Sequence, residues 1–252
     1  MKIDLSGMNV TVTGASRGIG RAIVQALASA GARLGVHYCR NEKAARELAR
    51  EVGNGSQIFR ADLSSAPECS KLFNEVEAAF GTIHAWVNNA GIALKSPLEM
   101  QSETWQANWQ QTLMVNLTAV GLLCRSAIRH FRDHGGGRII NIASRAAFRG
   151  DTPEYLAYAA SKGGIVSLTR SIARGYGKEN IKAFIIAPGF VRTDMAQEFF
   201  DEYGEEIALD DIALPRLTEP EELGPVVALL CSGLADHATG STIDINAGSY
   251  VH

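Results

Sequence analysis

Apolar residues along the chain form two kinds of pattern, short continuous runs and segments with helical period. The short runs are rich in β-branched residues, as in Asn9-Val10-Thr11-Val12-Thr13. Continuously apolar runs of this length are typical of strands buried in a parallel sheet. We predict strands at 9–13, 34–38, 57–61, 83–87, 138–142, 181–186 and 241–245.

Helical periodicity fills most of the intervals between these runs. The first such segment follows Gly20, stops at Gly31 and carries on one face Ala22, Ile23, Ala26 and Leu27. Further helices are predicted at 42–52, 105–130, 158–174 and 220–230. Alternating strands and helices predict an α/β fold, a doubly wound parallel sheet with helices on both faces. Since no linker or repeat interrupts the pattern, residues 1–252 are expected to form a single domain.

Composition and charge argue against several classes of protein. The chain has 252 residues, of which 46% are hydrophobic and 20% charged, ordinary values for a globular protein. Its net charge is -3, and no basic stripe predicts a nucleic-acid partner. No apolar run approaches the ~18 residues that cross a bilayer, so no membrane association is expected.

The cysteines and the amino terminus bear on the cellular compartment. Cys39, Cys69, Cys124 and Cys231 are far apart and form no Cys-x-x-Cys pair. We interpret them as reduced thiols of a cytoplasmic protein, with neither a disulfide nor a metal site. Residues 1–4 lead directly into the first strand without the apolar region of a signal peptide.

A glycine-rich segment joins the first predicted strand to the first predicted helix. It reads Gly14-Ala15-Ser16-Arg17-Gly18-Ile19-Gly20. In this context glycines let the backbone approach a pyrophosphate at a helix N-terminus. The spacing Gly-x-x-x-Gly-x-Gly departs from the Gly-x-Gly-x-x-Gly fingerprint of dinucleotide-binding proteins. The flanking strand and helix nevertheless favour nucleotide binding over a plain turn.

Polar or turn-forming residues directly follow several of the predicted strands. Ligands of open parallel sheets bind beyond the carboxyl ends of the strands, so residues at those ends are expected to meet in one cleft. These residues are Gly14, Asp62, Asn88, Ser144 and Pro188.

Tyr158 and Lys162 lie one turn apart on the same face of a predicted helix. A phenol has an unperturbed pKa of about 10, and a nearby ammonium favours the phenolate and lowers that pKa. The pair is therefore a candidate acid/base unit for the oxygen of an alcohol or ketone. Ser144, fourteen residues upstream, is a candidate donor to the same oxygen. A lone Tyr-x-x-x-Lys often marks a solvated helix face, but the convergence of strand ends favours catalysis.

A series of motifs runs along almost the whole chain, up to Asn246-Ala247-Gly248. They are Thr13-Gly14-x-x-x-Gly18-Ile19-Gly20, Asn88-Asn89-Ala90-Gly91, Asn116, Ser144, Tyr158-x-x-x-Lys162 and Pro188-Gly189. Together and in this order they resemble the short-chain dehydrogenases/reductases, in particular members like the 3-oxoacyl-carrier-protein reductases. The resemblance implies one Rossmann-type domain, a nicotinamide cofactor and a homotetramer, with a homodimer as the alternative.

The resemblance also implies roles for single residues. Tyr158 would be the general acid/base, and Lys162 would lower its pKa and bind the nicotinamide ribose. Ser144 would hold the substrate oxygen, and Asn116 would support a proton relay through water. Asn116 could instead be a satisfied helix asparagine, and Ser144 a turn residue. Besides Tyr158 and Lys162, the implied cofactor contacts are Gly14, Ser16, Arg17, Gly18, Ile19, Gly20, Tyr38, Arg40, Asp62, Leu63, Asn89, Ala90, Gly91, Pro188, Gly189, Val191 and Thr193.

Two positions depart from the family's usual pattern. Phe184 stands where an asparagine is common before the Pro-Gly turn. The interval from Ser144 to Tyr158 is about one residue longer than in near relatives, which leaves open the shape of the substrate loop around 149–151.

The choice of cofactor is expected to depend on the end of the second strand. An acidic residue there would bond the adenosine ribose of NAD and repel a 2′-phosphate. The segment reads His37-Tyr38-Cys39-Arg40-Asn41, with no carboxylate before Glu42. Arg17 and Arg40 could bind the 2′-phosphate, although two solvated arginines remain the alternative. We predict NADP(H), with NAD(H) as the alternative, and Asp62 either bonds the adenine or caps a turn.

Residues 190–214 are expected to form a flexible lid over the substrate. Its carboxylates outnumber the single Arg192 and are Asp194, Glu198, Asp201, Glu202, Glu205, Glu206, Asp210 and Asp211. We favour a solvated helix face for these acids. The large apolar and aromatic residues of this segment could line a substrate pocket or belong to the core. These residues are Met195, Phe199, Phe200 and Tyr203.

The function hypothesis is an NADP(H)-dependent oxidoreductase that interconverts a carbonyl and an alcohol on a small molecule. The alternatives are a 3-oxoacyl-carrier-protein reductase, an NAD-dependent sugar or secondary-alcohol dehydrogenase, and a nucleotide-binding regulator without turnover. Carrier proteins are acidic, and an enzyme that docks one needs a basic rim beside its active-site mouth. The positions that such reductases use offer only Arg132, Arg138 and Lys178 here, with Glu179 among them. A free small-molecule substrate is therefore favoured.

Overall fold

The computed structural model describes residues 3–251, and every strand in that range belongs to one sheet. The strands are β1 Asn9–Val12, β2 Arg33–Tyr38, β3 Gln57–Arg60, β4 Ala85–Asn88, β5 Gly137–Ile142, β6 Ile181–Pro188 and β7 Thr242–Ile245. Their order across the sheet is β3-β2-β1-β4-β5-β6-β7, and every pairing is parallel. The predicted doubly wound α/β fold is confirmed.

Helices cover both faces of this sheet. They are α1 Gly18–Ser29, α2 Glu42–Val52, α3 Ala66–Phe80, α4 Ser102–Leu113, α5 Ala119–Asp133, α6 Ala146–Arg149, α7 Leu156–Tyr176, α8 Asp194–Tyr203, α9 Glu205–Asp210 and α10 Gly224–Cys231. Helix α3 is absent from our sequence prediction although its signal is present. The residues that it buries have helical spacing and are Cys69, Leu72, Phe73, Val76 and Phe80.

The strand order reverses direction between β1 and β4. From β1 the chain proceeds outward to β2 and β3, then returns to place β4 on the other side of β1. At such a reversal the flanking helices lie on opposite faces and leave a crevice beyond the carboxyl ends of the strands. The glycine loop after β1 and the segment after β4 therefore open into the same space.

Two apolar clusters sandwich the sheet, and successive residues of one strand enter different clusters. Ala183 and Ile185 belong to one cluster, whereas Phe184 and Ile186 belong to the other. This alternation explains why the strands are continuously apolar in sequence. Phe184 is fully buried. The phenylalanine that departs from the family pattern is therefore a core residue and not part of the site.

A long helical run lies across one face of the sheet. A π-helical segment, Met114–Thr118, connects α4 to α5 within it. Within the run Ser102–Asp133, an 18-residue window has a mean hydropathy of 1.2, so by length and composition alone the run could cross a membrane. Half of its most apolar window is buried inside the protein, as in a core helix.

Candidate active site

The carboxyl ends of the strands border a cleft of about 1290 Å³. All the residues that the resemblance implies as cofactor contacts line this cleft, together with Ser144, Tyr158 and Lys162. Asn116, in contrast, is buried behind the wall. One surface thus collects positions that the sequence separates by most of its length.

The glycine loop shapes one end of the cleft. Gly14 has a φ of +62°, and a Cβ there would lie 2.8 Å from Ala90 Cα. A Cβ on Gly20 would lie 2.3 Å from the Gly14 carbonyl oxygen. Helix α1 begins at Gly18 and receives no side-chain cap from Arg17, so its first N–H groups are available to a ligand. This cradle fits the pyrophosphate of a dinucleotide.

The end of β4 is bonded to the glycine loop. The Asn89 side-chain amide donates to the carbonyl oxygens of Thr13 and Gly14, over 2.9 and 3.1 Å. The Thr13 hydroxyl accepts from the backbone N–H groups of Asn89 and Ala90. Asn88 instead points into the core and donates to Asn141. Of the two consecutive asparagines, only Asn89 borders the cleft.

Arg17 and Asp62, at the end of the cleft near β2 and β3, are already engaged. Arg17 forms an ion pair with Asp194 at 2.8 Å, with both side chains about 70% exposed (69% and 71%). Asp62 accepts hydrogen bonds from the backbone and hydroxyl of Ser64, and these bonds lower the pKa of its carboxyl group. Asp62 therefore caps a turn at the cleft edge, one of the two interpretations that the sequence left open.

Three side chains with catalytic potential meet at the centre of the cleft. Ser144 follows β5, and its hydroxyl accepts from the Ala146 N–H at 3.1 Å. Tyr158 and Lys162 project from the same face of α7, with the Lys162 Nζ 5.6 Å from the centre of the tyrosine ring. The Lys162 ammonium is buried and donates to the Ile142 carbonyl oxygen at 2.9 Å.

Burial controls the ionisation of both α7 side chains. It lowers the pKa of Lys162 to about 8. It raises the pKa of Tyr158 and outweighs a hydrogen bond with Ser144 that lowers it. The resemblance implies a lowered pKa for Tyr158, so the net direction in this structure is opposite to that expectation. The reason is that the phenolate loses hydration in the cleft wall.

Asn116 lies in the π-helical segment, a distortion that is frequent at functional sites. Its side-chain amide donates to Ile92 O at 2.8 Å and to Ser161 Oγ at 3.1 Å, and accepts from Ile92 N at 2.9 Å. The side chain therefore connects the loop after β4 to helix α7. A Cβ on Gly91 would lie 3.3 Å from Asn116 Oδ1 and 3.5 Å from Lys162 Nζ.

Sequence reasoning missed a charged cluster where residues 145–151 and Asp211 meet at the cleft. Arg145 is only 8% exposed, and its guanidinium lies 4.5 Å from the centre of the Phe190 ring. Its Nη1 lies 2.5 Å from Asp211 Oδ2, and Arg149 Nη1 lies 2.7 Å from the same oxygen. Asp151 also lines the cleft. The loop at 149–151, whose shape the sequence left open, therefore brings two charged side chains to the site.

The predicted lid contains two helices, α8 and α9. Among the acids of this segment whose side chains the structure describes, four form ion pairs: Arg17 binds Asp194, Lys95 binds Glu202, Arg192 binds Glu205, and Arg145 and Arg149 bind Asp211. The expected solvated acidic face is thus partly neutralised by cations from distant segments. Met195 and Phe199 line the cleft, whereas Phe200 is buried among other lid residues and Tyr203 donates to Glu154.

The basic residues considered for carrier docking lie elsewhere. Arg138 is near the beginning of β5, whereas Ser144 follows the opposite end of the same strand. Arg138 forms two 2.9 Å hydrogen bonds to Asp236, and Arg132 forms an ion pair with Glu179. Within one chain neither arginine lines the cleft.

Comparison with known proteins places this geometry among enzymes. A family model described as enoyl-(acyl carrier protein) reductase matches residues 14–250. A 3-oxoacyl-(acyl-carrier-protein) reductase of Aquifex aeolicus (strain VF5) is 34% identical over 253 residues, which cover 99% of this chain and 100% of that protein. The 3beta-hydroxysteroid dehydrogenase 1 of Eggerthella lenta is 35% identical over 250 residues, which cover 97% of this chain and 94% of that protein.

A solved structure shows the same fold over its full length. It is described as a dehydrogenase/reductase from Sinorhizobium meliloti 1021, with 33% sequence identity and a TM-score of 0.90. The match covers 99% of this chain and 98% of that one.

Removal of the Asp211 carboxylate should destabilise the protein, because the buried Arg145 guanidinium loses its ion-pair partner. We expect Asp211→Ala to lower the free energy of unfolding by about 1–3 kcal/mol, because a buried donor loses its partner. Urea unfolding measures this loss, and limited proteolysis should show faster cleavage within 190–214. The control is Glu206→Ala, which removes an exposed acid of the same lid. Equal stability and equal cleavage of the two variants would contradict the anchoring role of Asp211.

Proposed function

The chain belongs to the short-chain dehydrogenase/reductase family of oxidoreductases, and from this premise we propose an NADP(H)-dependent enzyme that interconverts a carbonyl and an alcohol on a free small molecule. The observation that carries the proposal is the grouping of Ser144, Tyr158 and the buried Lys162 in one cleft. The proposal includes a single domain, a lid at 190–214, a cytoplasmic location and a homotetramer or homodimer.

Tyr158 is the proton donor and acceptor in this proposal. A phenol whose pKa is raised by burial is protonated at neutral pH, so it can donate to a carbonyl oxygen that gains negative charge. The Ser144 hydroxyl, beside the phenol, donates a hydrogen bond to the same oxygen. The bound nicotinamide supplies or accepts the hydride.

Lys162 acts through its position and charge. Its ammonium is held at the end of β5 by the Ile142 carbonyl oxygen and lies near Tyr158. As negative charge develops on the phenol oxygen, a buried cation at this distance stabilises it more than it would in water. Asn116 supports the proton relay by holding the loop at Ile92 against α7.

The surroundings of the adenosine end support NADP(H). Glu42, the first carboxylate after β2, is hydrogen-bonded to Tyr38 and forms an ion pair with Arg46. Glu42 is not among the residues that line the cleft, whereas Arg40 and Asn41 before it are. Arg40 lines the cleft, and the exposed pair of Arg17 with Asp194 is weak enough for a phosphate to displace.

A 3-oxoacyl-(acyl-carrier-protein) reductase is the second candidate. The relative of that name from Aquifex aeolicus matches over its whole length, which favours it. Two observations favour a free substrate instead: Arg132 and Arg138 are neutralised by acids, and the lid beside the cleft is acidic. Like charges brought together at an interface cost affinity.

Tyr158→Phe should remove the proton carrier and keep the ring. General acid/base catalysis typically contributes 10²–10⁴-fold, so we expect kcat to fall by about that factor while the Kd for NADP⁺ stays unchanged. Tyr155→Phe is the matched control. Tyr155 also lines the cleft, but the residue four positions later, Ala159, is not a lysine. Retention of more than about a tenth of the wild-type kcat by Tyr158→Phe would refute this role.

The wild-type protein should use NADPH with a higher kcat/KM than NADH. Replacing both Arg17 and Arg40 by alanine should erode this preference by raising the KM for NADPH, because charge-assisted hydrogen bonds to the phosphate are lost. Arg50→Ala, at the exposed end of α2, should leave the preference intact. A wild-type protein that uses both cofactors equally, or prefers NADH, would show that NADP(H) selectivity is absent.

Little should be gained by attaching the substrate to a carrier protein. We expect similar kcat/KM values for an acetoacetyl group on carrier protein and on a short thiol, since Arg132 and Arg138 lie away from the cleft and are paired with acids. Steady-state assays at low and moderate salt measure both values. A large advantage of the carrier-bound form that shrinks as salt rises would support the second candidate instead.

A further inference from the structure

His37 is a buried residue of β2 whose ring contacts two backbone groups. It is only 1% exposed. Its Nδ1 lies 3.0 Å from the Gly14 backbone nitrogen, and its Nε2 lies 3.1 Å from the Ala61 carbonyl oxygen. A backbone N–H can only donate and a carbonyl can only accept, so the partners assign a neutral ring with its proton on Nε2.

These bonds link β2 to the segments that follow its two neighbours, β1 and β3, at the carboxyl ends of the strands. Gly14 follows β1, and Ala61 lies between β3 and Asp62. The His37 carbonyl oxygen also accepts from the Ala15 N–H at 2.9 Å. One residue therefore holds two successive N–H groups of the glycine loop and the segment that leads to the adenine side of the cleft.

Gly14 has little freedom to move away from the imidazole. On its other side the loop is packed against Ala90, so closely that a Cβ would lie 2.8 Å from Ala90 Cα. The glycine loop is thus located between the His37 ring and the end of β4. A change at His37 would therefore act on the backbone of the glycine loop.

We propose that His37 is a positioning residue for the dinucleotide: its neutral imidazole sets the spacing between the glycine loop and the end of β3, and protonation of the ring releases the loop and weakens dinucleotide binding. The inference rests on the proposed function in that it takes a nicotinamide dinucleotide as the ligand. It assigns to His37 no contact with the reacting atoms.

Protonation of His37 would break its hydrogen bond with Gly14, because both partners would then be donors. A protonated imidazole would direct a second N–H at the Gly14 N–H, which is the partner of Nδ1 among the described residues and cannot accept it. Burial lowers the pKa of His37 to about 4, although its hydrogen bond to Ala61 and the charge of Asp62 oppose this shift.

Several charged groups lie on the elements that pack around His37. Of these, the Asp62 carboxylate acts electrostatically on the imidazole ring and raises its pKa. Arg60 pairs with Tyr38 and His37 pairs with Phe59, so strand alternation directs Arg60 to the other face of the sheet. Arg17, in the glycine loop, forms its ion pair with Asp194 on the lid.

The pH dependence follows from this shift. The folded-state pKa of about 4 is below the ordinary 6.5, so the neutral ring stabilises the fold fully above pH 6.5. That stabilisation is lost as the pH falls from 6.5 to about 4. By linkage, a dinucleotide that requires the neutral ring must lower the pKa of His37 further when it binds.

Three substitutions separate the two hydrogen bonds. Asn places an acceptor near the position of Nδ1, Gln places a donor near the position of Nε2, and Leu offers neither. We expect His37→Leu to raise the Kd for NADP⁺ at pH 7 about tenfold, the equivalent of one lost hydrogen bond of about 1.4 kcal/mol. His37→Asn, which keeps the bond to Gly14, should stay within about threefold of the wild type. Tryptophan fluorescence titration measures each Kd.

His84 provides a matched control at the opposite end of the sheet. Its Nδ1 accepts from the Asn9 N–H at 2.9 Å, the same kind of bond as that between His37 and Gly14. His84→Leu should lower the free energy of unfolding and leave the Kd for NADP⁺ unchanged. Equal Kd values for wild type, His37→Leu and His84→Leu would overturn the proposal.

A measurement on the wild-type protein covers the case in which His37→Leu does not fold. In a ¹⁵N-histidine NMR titration, saturation with NADP⁺ should lower the pKa of His37 and leave that of His84 unchanged. An unchanged pKa for His37 would contradict the proposal. If the wild type binds neither NADP⁺ nor NAD⁺ at pH 7, the proposed function itself fails, and with it the ligand on which this inference depends.

Discussion

The site depends on a buried ammonium held against the end of a strand. Lys162 donates to the Ile142 carbonyl oxygen, and this bond fixes α7 relative to β5. Burial shifts the pKa of Lys162 from 10.5 to about 8, which corresponds to a cost of about 3 kcal/mol for keeping the charge. The fold tolerates this cost where the charge lies beside Tyr158, and the same four-residue spacing on α7 brings both side chains to the cleft.

Polar bonds within the core hold the helix in that register. Asn141 of β5 donates to Thr169 of α7 at 2.8 Å, and Asn88 of β4 donates to Asn141 at 2.8 Å. Buried amides must be satisfied, and partners in the wrong register would leave them unpaired. These bonds therefore specify how α7 lies on the sheet, which the surrounding apolar contacts do less strictly. Ser161, beside Lys162, receives the Asn116 amide in the same way.

The two halves of the cleft are built differently. The half proposed for the cofactor uses backbone groups, glycines and short polar bridges such as Thr13 to Asn89. The half proposed for the substrate uses ion pairs between residues 190–214 and distant segments, as between Arg145 and Asp211. Backbone cradles require particular residues at fixed spacing and so leave a motif. An ion pair can be made by many residue combinations and leaves none.

The sequence by itself determined the order of strands and helices, the fold class and the residues at the strand ends, because apolar periodicity and glycine turns are local signals. Even α3 had such a signal, in the spacing of Leu72 and Val76. Tertiary structure alone decided that Asn89 borders the cleft while Asn88 enters the core, and that Lys95 meets Glu202 across 107 positions. It also decided the direction of the pKa shift of Tyr158, since burial depends on what packs around the ring. Contacts between distant segments, and the hydration that they remove, have no local pattern from which they can be predicted.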